Sequence, residues 1–296
     1  AAAALPPALS AAEDGWDALL RAHVHAGRVD YLTLRDRDGA ALDSVLARFA
    51  RVDAAALAPA DRLAYWINLY NATMVAAVCA RFRAGWTPAA DSFDVFHAPL
   101  VHAGGTAMSL DELEHRRIRP QAHDPRVHVA LNCAARSCPP LRDRAYRGDD
   151  LDSVLAANLK RFVDDPERNR VDRAARTLAL SRVFDWYADD FGGAAAVPAY
   201  VGRVAGVDAA GWKVMFLDYD WRLNLAPPAA GEWVVVTATS AVLGRAPAGR
   251  GAAGMLSRGE VVRVAGRTSA LVRVVRPGGA GEGWLPAGDV RPWHAE

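Results

Sequence analysis

Residues 128–142 read HVALNCAARSCPPLR, and how this stretch folds decides which of the chain's polar residues can meet. The run RVHVAL is short, apolar, and bounded by charge on one side and a loop on the other. That pattern fits a buried strand, and strand ends are where a rigid element presents reactive groups to a loop. Side chains alternate along a strand. His128, Ala130 and Asn132 then share one face, while Val129, Leu131 and Cys133 take the other. On this reading His128 is not the base for Cys133, and His115, arriving from another element, is the better partner.

Cys133 and Cys138 are two of only three cysteines in the chain. Five residues turn about 500° on a helix, so the pair cannot share a helix face. A tight loop through AARS brings the Cα atoms within reach of a disulfide, about 4.4–6.8 Å. Zinc-ligating pairs usually sit two to four residues apart and come with a second pair. His97, His102, His115 and His128 stand at no such spacing, so no metal is expected. A nucleophile needs a thiolate, a histidine and an orienting group, and all of these residue types occur nearby. Spacing alone leaves disulfide, nucleophile and metal site open. Cys79, in an apolar helix, reads as a buried free thiol.

Asn68 and Asn71 lie one turn apart in PADRLAYWINLYNATMVAAVCARF, an amphipathic helical pattern that begins with Pro59 and Asp61. A buried, unpaired amide costs roughly 1–3 kcal/mol, so each must bond something. Either both tie loops to the core, or Asn68 orients a catalytic imidazole as the third member of a Cys-His-Asn set does. In SLDELEHRRIR, Ser109 and Glu112 form a capping box. Glu114 and His115 come next, and neighbours on a helix diverge by about 100°. One of them is therefore expected to face the site and the other to face away.

Helical patterns also cover the stretch after Ala11, DGAALDSVLARFARV, LDSVLAANLKRFVDD and LALSRVFDWYADDFG. RVDYLTL and WKVMFLDYDWRLN read as extended, and residues 93–105 as a hairpin around HAGG. Helices with few strands and no βαβ rhythm make the class α+β, a mainly helical domain around a small sheet over residues 15–225. APPAAGE, residues 226–232, has the composition of a linker. Residues 233–296 are Val-rich segments about ten residues apart between glycine-rich turns, as in a small all-β barrel.

The chain has 296 residues, 52% hydrophobic and 23% charged, with a formal net charge of +1. Such a balance offers no field for nucleic acid, and no apolar run is read as reaching the roughly 20 residues that span a bilayer. The opening AAAALPPALS has the small residues and prolines typical of a chain trimmed by signal-peptide cleavage. Residues 1–14 are therefore expected to be a flexible remnant, and the protein periplasmic or secreted.

YWINLYNA, SLDELEH, RVHVALNCAARSCPPLR, LSRVFDWYADDF and YDWRLN occur in this order. Together they resemble the domain-of-unknown-function family numbered 547 over about residues 15–225. The matching positions are Asn68, Asn71, Glu114, His115, His128, Cys133, Ser137, Cys138 and Pro139. A pattern that keeps Asn, Glu, His and Cys together implies a site rather than packing. The tail resembles a bacterial SH3-like domain, which implies a spacer or a binder of cell-wall peptide or of a protein partner.

The expectation is a cysteine-dependent hydrolase or acyltransferase acting without a cofactor on an amide bond of a peptide-like or cell-wall-derived substrate. Cys133 is its nucleophile and His115 its base, with Glu114 or Asn68 orienting the imidazole. Asn71, His128, Asn132, Ser137 and Cys138 are expected to bind. The alternative is a non-catalytic binding or scaffold protein with a Cys133–Cys138 disulfide.

Overall fold

A helix that is apolar all round has to be buried, and α3 (Pro59–Arg81) is such a helix, with nearly every residue from Leu63 to Cys79 inside. The computed structural model describes residues 6–229, 231–244, 252–279 and 281–294. Around α3 pack α1 (Pro7–His23) and α2 (Tyr31–Phe49), burying Trp16, Tyr31, Phe49, Tyr65 and Ile67. Two readings need correcting here: that this segment is an amphipathic helix, and that no run has spanning length. Over 23 residues α3 has a window of mean hydropathy 1.3, long and apolar enough to cross a membrane by composition, and 83% of that window is buried inside the protein.

Part of the stretch 1–14, expected to be a flexible remnant, is helical. Residues 1–5 lie outside the described residues, but α1 begins at Pro7 and already buries Leu9, Ala12 and Glu13. The expected extension through RVDYLTL ends early as well. Val24–His25 pairs with Arg28–Val29, and then Asp30 accepts the Thr33 N–H and starts α2 at Tyr31. An aspartate N-cap outweighs the β-branched and aromatic content beyond it.

The strand expected at RVHVAL does not form. Pro125–Val129 is a 3₁₀ turn whose first N–H, that of Arg126, donates to the Asp124 side chain. Short apolar runs are ambiguous between strand and helix, and Asp-Pro tips this one towards the turn. LALSRVFDWYADDFG is not one helix either. Thr177–Leu180 is the central strand of a small mixed sheet, antiparallel to Arg170–Asp172 and parallel to Lys213–Phe216. Val183–Trp186 and Ala188–Phe191 come after it as short helical turns. The hairpin is present, between Val101–Ala103 and Thr106–Met108 around Gly104–Gly105.

The class is α+β, as expected. Beyond residue 232, seven described strands form one antiparallel sheet, in the order 252–257, 240–244, 282–286, 271–275, 261–267, 233–236, 290–292. Val234, Val236, Leu243, Leu256, Val262, Val272, Val274 and Leu285 make its core. The segment of linker composition is anchored: the Ala226 N–H donates to the Val29 carbonyl and the Ala229 N–H to Asp30. Trp233, Val235 and Val261 join the helical core, and the Trp293 ring meets Phe82 edge-on at 6.1 Å. The sheet is thus packed onto the helices. Residues 245–251, within the expected strand pattern, lie outside the described residues.

Candidate functional site

Each backbone group of a buried loop needs a partner, and the loop from Ala130 to Leu141 finds them in side chains and in the segment 220–224. Asn71 donates to the Ala130 carbonyl and accepts the Asn132 N–H, at 2.9 Å each. The Asn132 side chain donates to the Pro139 carbonyl and accepts from the Ala134 N–H and from Asn224. The Arg136 and Ser137 N–H groups donate to the Arg222 and Asp220 carbonyls, and the Ser137 hydroxyl accepts the Asp220 N–H. Arg168 donates to the carbonyls of Arg136 and Cys138. These bonds hold Ala134 in the left-handed region at φ +61°, where a residue with a Cβ is strained by about 1–3 kcal/mol.

The clamped loop presents Cys133, half-buried, and Cys138, buried, to one cavity of about 310 Å³. Both thiols are free. Burial by itself would raise the Cys133 thiol. Hydrogen bonds from Cys138, from the Tyr219 hydroxyl (Sγ to Oη 3.1 Å) and from the Ala135 N–H outweigh it and hold the thiol below its usual range. Hydrogen bonds to the charged form favour that form. Burial and the neighbouring Cys133 push Cys138 the other way, well up.

Facing the thiols is a polar cluster built mainly on the helix that Ser109 caps, where the expected box forms in both directions. Glu114–Ile118 winds as a π-turn. A π-turn is wider than an α-turn and recurs at functional sites. Successive side chains diverge less on it, so Glu114 and His115 both line the cavity, against the expectation that one faces away. Glu114 is buried, and burial raises its carboxyl above the ordinary range despite a hydrogen bond from Tyr187. The Tyr187 ring stacks on His128 at 3.7 Å.

His128 is 4% exposed. Its Nε2 lies 2.6 Å from Asp190 Oδ2. Asp190 is in turn gripped by the Arg119 guanidinium at 2.8 and 3.0 Å, which holds its carboxyl down to about 2. Burial lowers the imidazole to about 4, against the pull of Asp190. A neutral ring beside an ionised carboxylate carries its proton on Nε2. That leaves the Nδ1 lone pair buried and without a partner, with Glu114 Oε1 the near carboxyl oxygen at 3.8 Å.

The mouth is aromatic. Trp186, 50% exposed, lies 4.7 Å from Tyr219 and 6.1 Å from Trp221, and Phe93 sits edge-on to Trp221 at 4.9 Å.

The expected residues therefore divide. Cys133, Cys138, Glu114, His115 and His128 meet at the cavity. No hydrogen bond joins His115 to Cys133: its Nδ1 meets Arg119 at 2.6 Å and its Nε2 faces Asp111 at 3.4 Å. Asn68 is not an orienting group for an imidazole, because its amide donates to the Tyr146 carbonyl and accepts the Tyr146 N–H. Asn71, Asn132 and Ser137 clamp the loop from outside the cavity. Cys79 is the buried thiol expected, pushed up to about 12 by burial.

Sequence reasoning passes over Asp190, Tyr187 and Tyr219. The blocks DWYADDF and LDYDW do place aromatic and acidic residues together, but nothing in their spacing names a partner. Among the described residues, no group of three or more His, Cys, Asp or Glu is arranged to hold a metal ion.

The family model described as "Protein of unknown function, DUF547" matches residues 54–163. The match takes in Glu114, His115, His128, Cys133 and Cys138. It is shorter than the resemblance over residues 15–225, and stops before Tyr187, Asp190 and Tyr219. No curated protein and no solved structure matches the chain.

Proposed function

We propose that the protein transfers or hydrolyses an acyl group through a thioester on Cys133. One observation carries this reading: Cys133 Sγ sits among hydrogen-bond donors in a cavity that His128 also lines, its Nδ1 unpartnered and its other nitrogen held by Asp190. A thiol whose donors favour its thiolate needs no histidine beside it, so the base is free to serve water or the leaving group.

In the first step the Cys133 thiolate attacks the acyl carbon, a C–S bond forms, and the C–N bond of an amide breaks. The departing amine takes its proton from Glu114, whose carboxyl burial raises above its ordinary range. In the second step water attacks the thioester and its proton passes to His128 Nδ1. The C–S bond breaks, the acid and the Cys133 thiolate are released, and the proton returns from His128 to Glu114. His128 with Asp190 thus takes the role first expected of His115. The largely apolar wall suits an acyl group with apolar or aromatic substituents. The Val-rich C-terminal sheet supports an SH3-like module, for which a cell-wall peptide or a protein is the proposed partner.

The probe is p-nitrophenyl acetate, with adducts mapped by mass spectrometry. An acetyl thioester on Cys133 is expected, absent in Cys133→Ala and longer-lived in His128→Gln. If Cys133 stays unacetylated while the folded protein still reacts with iodoacetamide, the acyl-transfer reading is wrong.

A further inference from the structure

The proposed acyl chemistry leaves Cys138 unused, yet this buried thiol lines the same cavity and touches the reactive one. A turn in which the Cys138 N–H donates to the Ala135 carbonyl, at 3.1 Å, folds residues 135–138 back on themselves. Cys138 Sγ thereby accepts the Cys133 N–H at 2.8 Å, and the two side chains share a hydrogen bond. Arg168 pins the turn from behind through the Cys138 and Arg136 carbonyls. For a structural cysteine next to a nucleophile this is an odd place, since an alanine would fill most of the space without a second reactive sulfur. For a resolving thiol it is the right one, because the two thiols are already in hydrogen-bond contact.

We propose that Cys133 and Cys138 form a hydroperoxide-responsive dithiol, in which Cys133 is oxidised first and Cys138 closes the disulfide. The Cys133 thiolate attacks one oxygen of a hydroperoxide: an S–O bond forms, the O–O bond breaks, and the leaving oxygen takes a proton from water to depart as an alcohol. Cys133 is then a sulfenic acid, oxidised by two electrons, and the peroxide is reduced by two. Cys138 sulfur next attacks Cys133 sulfur. The S–S bond forms, the S–O bond breaks, and the hydroxyl leaves as water with the proton of the Cys138 thiol. An external dithiol restores the pair by exchange. The asymmetry of the two thiols sets the order, since Cys133 is held towards its thiolate and Cys138 is kept protonated. The disulfide removes the nucleophile, so oxidation switches acyl transfer off and reduction switches it on. The oxidation itself stands independently of that reading.

The test uses the full chain carrying Cys79→Ser, treated with hydrogen peroxide in the presence and absence of dimedone. With Cys138 present, a Cys133–Cys138 cross-linked peptide is expected, with loss of both titratable thiols and recovery under dithiothreitol. With Cys138→Ser or Cys138→Ala, each checked for folding by circular dichroism, the cross-link is replaced by a dimedone adduct on Cys133. Equal dimedone labelling with and without Cys138, or direct conversion of Cys133 to a sulfinate while Cys138 stays free, overturns the proposal. Disulfide formation in a protein that p-nitrophenyl acetate fails to label rejects the acyl-transfer reading and leaves the dithiol standing, and the reverse result does the opposite.

Discussion

His128 Nε2 and Asp190 Oδ2 stand 2.6 Å apart, although 62 residues separate them in the chain. The bond fixes which nitrogen of the imidazole carries the proton, and so leaves Nδ1 as an acceptor at the cavity. Asp190→Asn removes the charge and lets the ring take either tautomer. Deacetylation of Cys133 is expected to slow by about tenfold or more, while alkylation of the thiol by iodoacetamide keeps its rate. A parallel loss of both rates would assign Asp190 to the fold instead.

Tyr219 donates to Cys133 Sγ at 3.1 Å. Tyr219→Phe deletes one donor to the thiolate and keeps the ring against Trp186 and Trp221. The pH midpoint of iodoacetamide alkylation at Cys133 is expected to rise by about one pH unit, the size of a single hydrogen bond to a charged group. An unchanged midpoint would show that Cys138 and the loop N–H groups set the thiol without Tyr219.

Asn68 and Asn71 separate support of the fold from support of the site. Asn68→Ala strands the buried Tyr146 N–H and carbonyl, a loss of roughly 2–4 kcal/mol. Cys133 alkylation at low denaturant is expected to be unchanged. Asn71→Ala strands Ala130 and Asn132 at the root of the loop that carries Cys133, so it is expected to cost about as much stability and also to shift the Cys133 midpoint. Urea titration beside alkylation kinetics reads both.

Gly27 lies at φ +80°, and a Cβ there would stand 2.3 Å from Pro140 Cβ. Its carbonyl accepts the Leu141 N–H, closing the loop onto the first hairpin. Gly27→Ala meets both strain and overlap, and is expected to lower stability by about 2–4 kcal/mol.

Glu13 and His128 give the stability curve opposite slopes. Burial raises the Glu13 carboxyl from 4.5 to about 7 despite Arg147 at 3.2 Å. Its folded form binds more protons between these values, so stability falls as pH rises through that window. His128 drops from 6.5 to about 4. The unfolded chain then binds more protons, and stability falls as pH decreases from about 6.5 towards 4. Each contributes on the order of 2 kcal/mol. Glu13→Gln is expected to leave a melting temperature that climbs with pH from 4 to 7, and His128→Gln one that declines. Differential scanning calorimetry across that range checks the signs.

Patterns that depend on local physics were legible in the sequence. The Ser109–Glu112 box and the Val-rich strands each arise from a few adjacent residues, and both are present. Two local rules misled. The apolar run at RVHVAL concealed a 3₁₀ turn, and the 100° spacing of an ideal helix failed at a π-turn. Both errors fell on the site: the first put His128 and Cys133 on opposite faces of a strand that does not form, and the second kept Glu114 and His115 apart.

By itself the sequence determined the α+β class, the C-terminal sheet and the region in which the reactive side chains lie. Tertiary structure alone decided which of them face one another: Asp190 on His128, Tyr219 on Cys133 across 86 residues, and Asn68 on a loop backbone. Periodicity reports which face of an element is buried. It carries no record of what is packed against that face, and the partner of a buried polar group is set by that packing.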